Sequence, residues 1–213
     1  MKIGIIGSGA VGQTLAKGFK NEGHAVTLGT RDISKPEVVQ FNKDTGIPVA
    51  DFETTAKTAE LIVLSTKGTV AADALRLAGI ANLDKKIVID TTNPLAEKGP
   101  DHGVLHFFTT LDFSLMEQLQ QLVPAARFVK AFNSVGNTAM YKPQFSEGPP
   151  SMFICGNDEE AKKTVTDLLT AFGWETEDMG TVEAARAIEP LCILWCIPGF
   201  LHNSWSHAFK LLK

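Results

Sequence analysis

The 213-residue chain lacks most of the signatures by which enzymes advertise their chemistry. Its three cysteines, Cys155, Cys192 and Cys196, form no C-x-x-C pair and no even framework. That excludes a disulfide scaffold and points to reduced thiols in a cytoplasmic setting. Charge is modest and mixed, with a net of −4 and no block of one sign, so no surface for nucleic acid or an anionic membrane is expected. No apolar run is expected to reach the length of a membrane span. Met1 leads straight into a strand, which leaves no expected place for a signal or transit peptide. There is no Ser-His-Asp order, no carboxylate pair, no metal cluster, no internal repeat and no low-complexity segment. With 44% apolar residues the chain can still bury a good core, as one large domain or a domain with a small appendage.

What is present begins at once. Lys2-Ile3-Gly4-Ile5-Ile6 is a short apolar run. Gly7-Ser8-Gly9-Ala10-Val11-Gly12 follows it, and Gln13 to Phe19 has a helical apolar period. Strand, G-x-G-x-x-G, helix is the order that a dinucleotide pyrophosphate site needs. Gly7 permits the tight turn, Gly9 the close approach of phosphate, and Gly12 the packing of helix on strand. The helix N-terminus then faces the pyrophosphate with its free amides and the positive end of its dipole. A P-loop reading fails because Gln13 stands where the phosphate-binding lysine belongs.

The loop after the second strand, Ala25-Val26-Thr27-Leu28, selects the cofactor. An NAD site places an acid at this strand end. Here Gly29 and Thr30 follow the strand, then Arg31, with Asp32 behind it. Arginine suits a 2′-phosphate through charge-assisted hydrogen bonds and stacking on adenine, and Thr30 can donate its hydroxyl to the same group. The reading is NADP, with Asp32 as the NAD alternative.

Helical composition over Pro36 to Lys43, Glu53 to Ala59 and Ala71 to Ala78 alternates with strands at Ile47-Pro48-Val49, Leu61 to Leu64 and Ile87 to Ile89. The uninterrupted apolar strands predict a sheet covered on both faces. In such a sheet the ligand lies beyond the carboxyl ends of the strands. Ser65, Thr66, Lys67, Thr92 and Asn93 are therefore expected along the nicotinamide half, with ordinary strand-end turn chemistry as the alternative for the Asn93-Pro94 step. Leu95 to Thr110 reads as a long loop of the lid kind. Its His102 and His106 suggest a metal, but Gly99-Pro100 and Gly103 argue against a helix that would align them, and no carboxylate completes a set. Helix is expected at Phe113 to Leu122 and strand at Arg127 to Phe132, with Asn133 at its mouth. Strands at Met152 to Cys155 and Trp174 to Glu177 flank a helix over Glu159 to Phe172. An apolar helix from Val182 should stop at Pro198-Gly199, before a last helix over Phe200 to Leu212. Cys192 and Cys196 share a helical face and read as packing residues, and Trp195 and Trp205 as core or subunit-interface residues.

The combination of Gly7-x-Gly9-x-x-Gly12, Thr30-Arg31, Thr92-Asn93-Pro94-Leu95 and Lys130-Ala131-Phe132-Asn133 resembles the NADP-dependent coenzyme F420 (deazaflavin) reductases nearly end to end, including Cys155-Gly156-Asn157-Asp158. The resemblance implies a Rossmann-type α/β fold, a doubly wound, mostly parallel sheet. Residues 1–140 would form the dinucleotide-binding domain and 150–213 a small C-terminal α/β part that completes the cleft and carries a homodimer interface. It also implies hydride exchange between NADP(H) and a flat small-molecule acceptor, coenzyme F420 or a flavin. Pro94 and Asn133 join the cofactor-binding set on this footing. Hydride transfer needs no nucleophile, because the cofactor carries the reactivity. Any proton would move through Lys67, His102 or His106. The competing readings are an NADP-binding sensor without turnover and a reductase of a small imine or carbonyl compound.

Overall fold

The computed structural model describes all 213 residues. Its main sheet is built from β1 (Lys2–Ile6), β2 (Ala25–Gly29), β3 (Val49–Ala50), β4 (Leu61–Leu64), β5 (Ile87–Asp90) and β6 (Arg127–Lys130). The spatial order is β3-β2-β1-β4-β5-β6, parallel throughout. This is the doubly wound order in which the chain reverses direction between β1 and β4, and a crevice opens at that switch point. β4 and β5 are buried at every position, which is why their sequences Leu-Ile-Val-Leu and Ile-Val-Ile-Asp show no polar alternation.

Helices α1 (Ala10–Asn21), α2 (Pro36–Thr45), α3 (Phe52–Thr58), α4 (Ala71–Ala78) and α5 (Leu115–Leu122) cover the two faces. α5 starts at a capping box, in which Ser114 and Glu117 exchange hydrogen bonds across the first turn. Beyond β6 come β7 (Ser151–Ile154), α6 (Glu159–Ala171) and β8 (Glu175–Asp178), a parallel pair with its crossover helix. The Lys130 amide donates to the Cys155 carbonyl at 3.0 Å and joins this pair to the edge of the main sheet. The core is continuous across the junction. Ile3, Leu15, Phe19 and Val63 belong to one buried cluster with Met152, Val165, Leu169 and Phe172, and the Phe19 and Phe172 rings lie 4.6 Å apart.

The chain departs from its sequence pattern in three places. Leu95 to Phe107 is a hairpin and not an irregular loop. Asp101 and Val104 exchange both backbone hydrogen bonds, and His102 and Gly103 between them have φ of 50° and 85°, the values a tight hairpin turn requires. At the C-terminus, α7 (Ala185–Ile188) and α8 (Leu191–His202) replace the expected single helix, and α8 runs through Pro198. No helix covers Phe200 to Leu212 beyond His202. Asn203 ends α8 with φ of 52°, and the Trp205 ring folds back onto Gly199, where an added Cβ would lie 2.3 Å from it. The 21-residue run Val182–His202 is also long and apolar enough to cross a membrane, contrary to expectation. In the fold that run is broken into short pieces, and Glu189 at its middle is tied into the protein's interior.

A candidate cofactor groove

The turn from β1 into α1 is fixed by the protein itself at two of its glycines and left open at the third. A Cβ on Gly7, whose φ is 125°, would lie 2.5 Å from the Ser65 carbonyl oxygen, and one on Gly12 would lie 2.0 Å from the Gly7 oxygen. A Cβ on Gly9 would meet nothing within 4 Å. No side chain caps α1, so its first amides face the same open space. Ser65 Oγ donates toward the carbonyls of Ile6 (3.3 Å) and Gly7 (3.2 Å), which spends the hydroxyl on the turn. Ser8 Oγ donates to Thr30 Oγ1 at 3.0 Å and links the turn to the loop after β2.

That loop sorts its charges. Arg31 and Lys35 line a 720 Å³ groove together with the glycine turn and Thr30, and neither has a carboxylate partner. Asp32 is not on the wall. It accepts Ser34 Oγ at 2.6 Å and the Ser34 amide at 2.9 Å, and these bonds hold its carboxyl below the usual aspartate value. An acid occupied in its own turn is poorly placed to take ribose hydroxyls. Lys35 was not singled out from the sequence; its place just before Pro36, at the start of α2, was the available signal.

A second lobe of 560 Å³ opens between the carboxyl ends of β4 and β5, and shares Val11, Ser65, Thr66, Lys67, Thr69 and Glu97 with the first. Thr91, Thr92 and Asn93 form its floor, and Leu95 to Gly99 of the hairpin its outer wall. Thr66 Oγ1 is buried here without a hydrogen-bond partner, a donor and acceptor held ready for something else. Lys67 is exposed where the two lobes meet and has no ion pair. Pro94 and Asn133 do not reach the lining. Pro94 offers its carbonyl to the hairpin amide of Phe108 at 2.9 Å. Asn133 stands behind Asn93: Asn93 Nδ2 donates to the Asn133 carbonyl (2.7 Å), and Asn133 Nδ2 donates to Asn93 Oδ1 (3.2 Å) and to the Ile188 carbonyl (2.9 Å). His106 Nε2 lies 2.9 Å from Asp101 Oδ2, so a carboxylate does stand by one of the histidines, while His102 sits at the hairpin turn.

Beneath the floor lies a charge cluster that sequence reasoning missed. Lys130, at the end of β6, is fully buried, and its Nζ donates to Asp90 Oδ2 (2.7 Å), the Thr92 carbonyl (2.8 Å) and Glu189 Oε1 (3.0 Å). The two Glu189 oxygens also accept the amides of Leu115 and Met116, each at 3.0 Å, at the start of α5. Burial by itself would push the Lys130 ammonium down. Attraction to Asp90 and Glu189, with hydrogen bonds to both, outweighs it and carries the group above the ordinary lysine value. Every donor of the ammonium is used, as a buried charge requires.

The groove has the chemistry of an anionic dinucleotide site, with free helix amides, a bare glycine, three unpaired cations and an orphaned hydroxyl in one crevice. Comparison with known proteins agrees. The family described as NADP oxidoreductase, coenzyme F420-dependent, matches residues 2–94. A crystal structure of a protein assigned as an F420-dependent NADP reductase, from Arthrobacter sp. FB24, is 33% identical and covers the whole of both chains with a TM-score of 0.93. The F420-dependent NADP reductase of Methanocaldococcus jannaschii is 28% identical over 202 residues, 90% of this chain and 89% of that one. Metalloreductase STEAP3 of Rattus norvegicus is 30% identical over 209 residues, 94% of this chain but 39% of that protein, so the chain spans about two fifths of this relative.

Proposed function

We propose a role for this chain from the family it belongs to, the coenzyme F420-dependent NADP oxidoreductases: it passes hydride between NADP(H) and a flat acceptor, a deazaflavin or a flavin. The bound nicotinamide and the acceptor ring supply the redox chemistry between them, and the chain supplies binding and orientation. The N-terminus of α1, with Gly7 to Gly12, takes the pyrophosphate against the bare face of Gly9. Thr30 and Arg31, joined by Lys35, take the 2′-phosphate. Thr66, Lys67, Thr92 and Asn93 line the nicotinamide half and the acceptor lobe beside it, while Ser65 holds the glycine turn. Pro94 and Asn133 act from behind that wall, one fastening the hairpin and the other Asn93. Reduction of the acceptor needs a proton as well as a hydride, and among Lys67, His102 and His106 it is Lys67 that lines both lobes.

The observation that carries the reading is the pair Arg31 and Lys35, unpaired and facing the same groove as the open glycine turn. A charge of −2 at the ribose suits two cations, and of the two acids that line the groove Asp73 is paired with Arg76 and Glu97 is shared with the second lobe. Residues 150–213 carry a dimer interface on this reading, supported by exposed Leu194, Phe200 and Leu201 on α8, and their part in the cleft runs through Glu189 beneath its floor. The protein works in the cytoplasm, in keeping with three unpaired thiols. Titration with NADPH and NADH, followed by an acceptor screen monitored at the nicotinamide absorbance, tests the whole. The expected result is tighter binding of NADPH and its oxidation by a deazaflavin or flavin. Equal affinity for NADH removes the 2′-phosphate site. Binding without turnover on any acceptor makes the protein a sensor module, and oxidation by imines or carbonyls alone changes the substrate class.

A further inference from the structure

The buried charge cluster reaches the groove at one residue, and it holds that residue by every polar group it has. The Thr92 amide and hydroxyl both donate to Asp90 Oδ1, at 2.9 and 2.7 Å, and the Thr92 carbonyl accepts from Lys130. The next residue, Asn93, is gripped from the same side by Asn133. The outer end of the cluster, Glu189, comes from the elbow between α7 and α8, as does the Ile188 carbonyl that orients Asn133. Between the strand mouth and that elbow, Phe132 is buried with φ of 62°. A bulky residue holds that conformation only where its surroundings over-determine it, and such strain collects at working sites.

We propose that Lys130, clamped between Asp90 and Glu189, is a positioning residue for hydride transfer: it fixes the Thr92–Asn93 turn on which the nicotinamide and the acceptor meet, and so lets the C-terminal helices set the geometry of the reaction. A buried ion pair adds little net stability compared with well-packed apolar residues, so stability alone is a weak reason for a triad here. A turn that must not shift by a fraction of an ångström is a better one. No atom of the cluster other than those of Thr92 needs to touch a ligand. The inference rests on the cofactor reading above.

Glu189→Gln is the direct test. One of the two carboxylate oxygens becomes an NH₂ group facing either the Leu115 amide or the Met116 amide together with the Lys130 ammonium, all of them donors, so the elbow must move while the volume stays the same. The expected result is an NADPH dissociation constant within about twofold of wild type and a kcat lowered roughly tenfold or more, with a larger primary isotope effect from 4-deuterated NADPH as the chemical step becomes limiting. Should Glu189→Gln fold poorly, Asp90→Asn weakens the other end of the triad at a buried residue outside the groove lining, and it should show the same split between kcat and NADPH binding. Unchanged kcat in folded Glu189→Gln, or a kcat loss matched by lost NADPH binding, overturns the inference. If wild type itself neither binds nor oxidises NADPH, the cofactor reading falls instead.

Discussion

The carboxyl edge of the sheet carries two regions built on opposite terms. On the β1–β2 side the polar groups are left unpaired: the first amides of α1, the Arg31 and Lys35 cations, and the bare face of Gly9. On the β5–β6 side the charges are saturated, with Asp90, Lys130 and Glu189 closed on one another beneath the floor, and the neighbouring Asn133 Oδ1 is the one buried oxygen there left without a partner. The first region is arranged to receive a charge from outside, and the second carries its own charges and its own answer to them. Recognition and positioning call for different states of hydrogen-bond satisfaction, and one sheet edge provides both.

The comparison can be broken at several points, and the sealed side should be the more sensitive to stability. Lys130→Met leaves two carboxylates buried without their cation and should cost about 3–5 kcal/mol in denaturant unfolding. A cost below about 1 kcal/mol would mean the cluster is not sealed. Within the glycine turn the contrast appears on a smaller scale. Gly12→Ala must displace the Gly7 carbonyl and should lose about 1–3 kcal/mol along with cofactor binding. Gly9→Ala has free space around it, so it should melt with wild type and lose only NADPH affinity. Equal melting losses in the two would show that Gly9 serves the fold.

Arg31→Ala should leave stability and NADH binding alone and weaken NADPH by roughly ten- to hundredfold, measured by titration. A gentler probe is a second ion pair, half-buried, between Glu117 and Arg186. The Glu117 carboxylate accepts three hydrogen bonds of 2.5–3.2 Å from the Arg186 guanidinium. Burial alone would raise the Glu117 carboxyl, but the Arg186 and Ser114 bonds bring it from 4.5 down to about 2. A lowered folded-state value means stability fully present above about pH 4.5 and lost as pH falls toward 2. The stability gap between wild type and Glu117→Gln should therefore be flat above pH 5 and close between pH 4.5 and 2, and a gap that stays constant with pH assigns the effect elsewhere.

What could be read from the sequence was local. The apolar strands, the glycine turn and the Thr30-Arg31 loop each declare themselves within a few neighbouring residues, and the structure places the turn and the loop on one groove. The cluster could not be read that way. Asp90 and Lys130 are 40 residues apart and meet because β5 and β6 pair in register, and Glu189 reaches the start of α5 from 73 residues beyond Met116. Asn133, which the family resemblance and its place at a strand mouth put with the cofactor-binding residues, stands behind Asn93, after the backbone turn at Phe132. The apolar spacing of Phe200 to Leu212 resembles a helix because aromatic rings that fold back on a helix end carry the same pattern.

That folded-back segment has one more consequence. β6 meets β7 at a single bridge, which leaves much of that side of β7 unclaimed. The last residues reach the start of the strand: the Ser151 amide donates to the Phe209 carbonyl at 2.9 Å, and the Leu211 amide to Ser151 Oγ at 3.0 Å. Open strand edges recruit other chains. With the tail bonded at Ser151 and the Lys130–Cys155 bridge just past Ile154, this edge of β7 is closed at both ends by the chain itself, which shortens the run of free backbone that another chain could pair with.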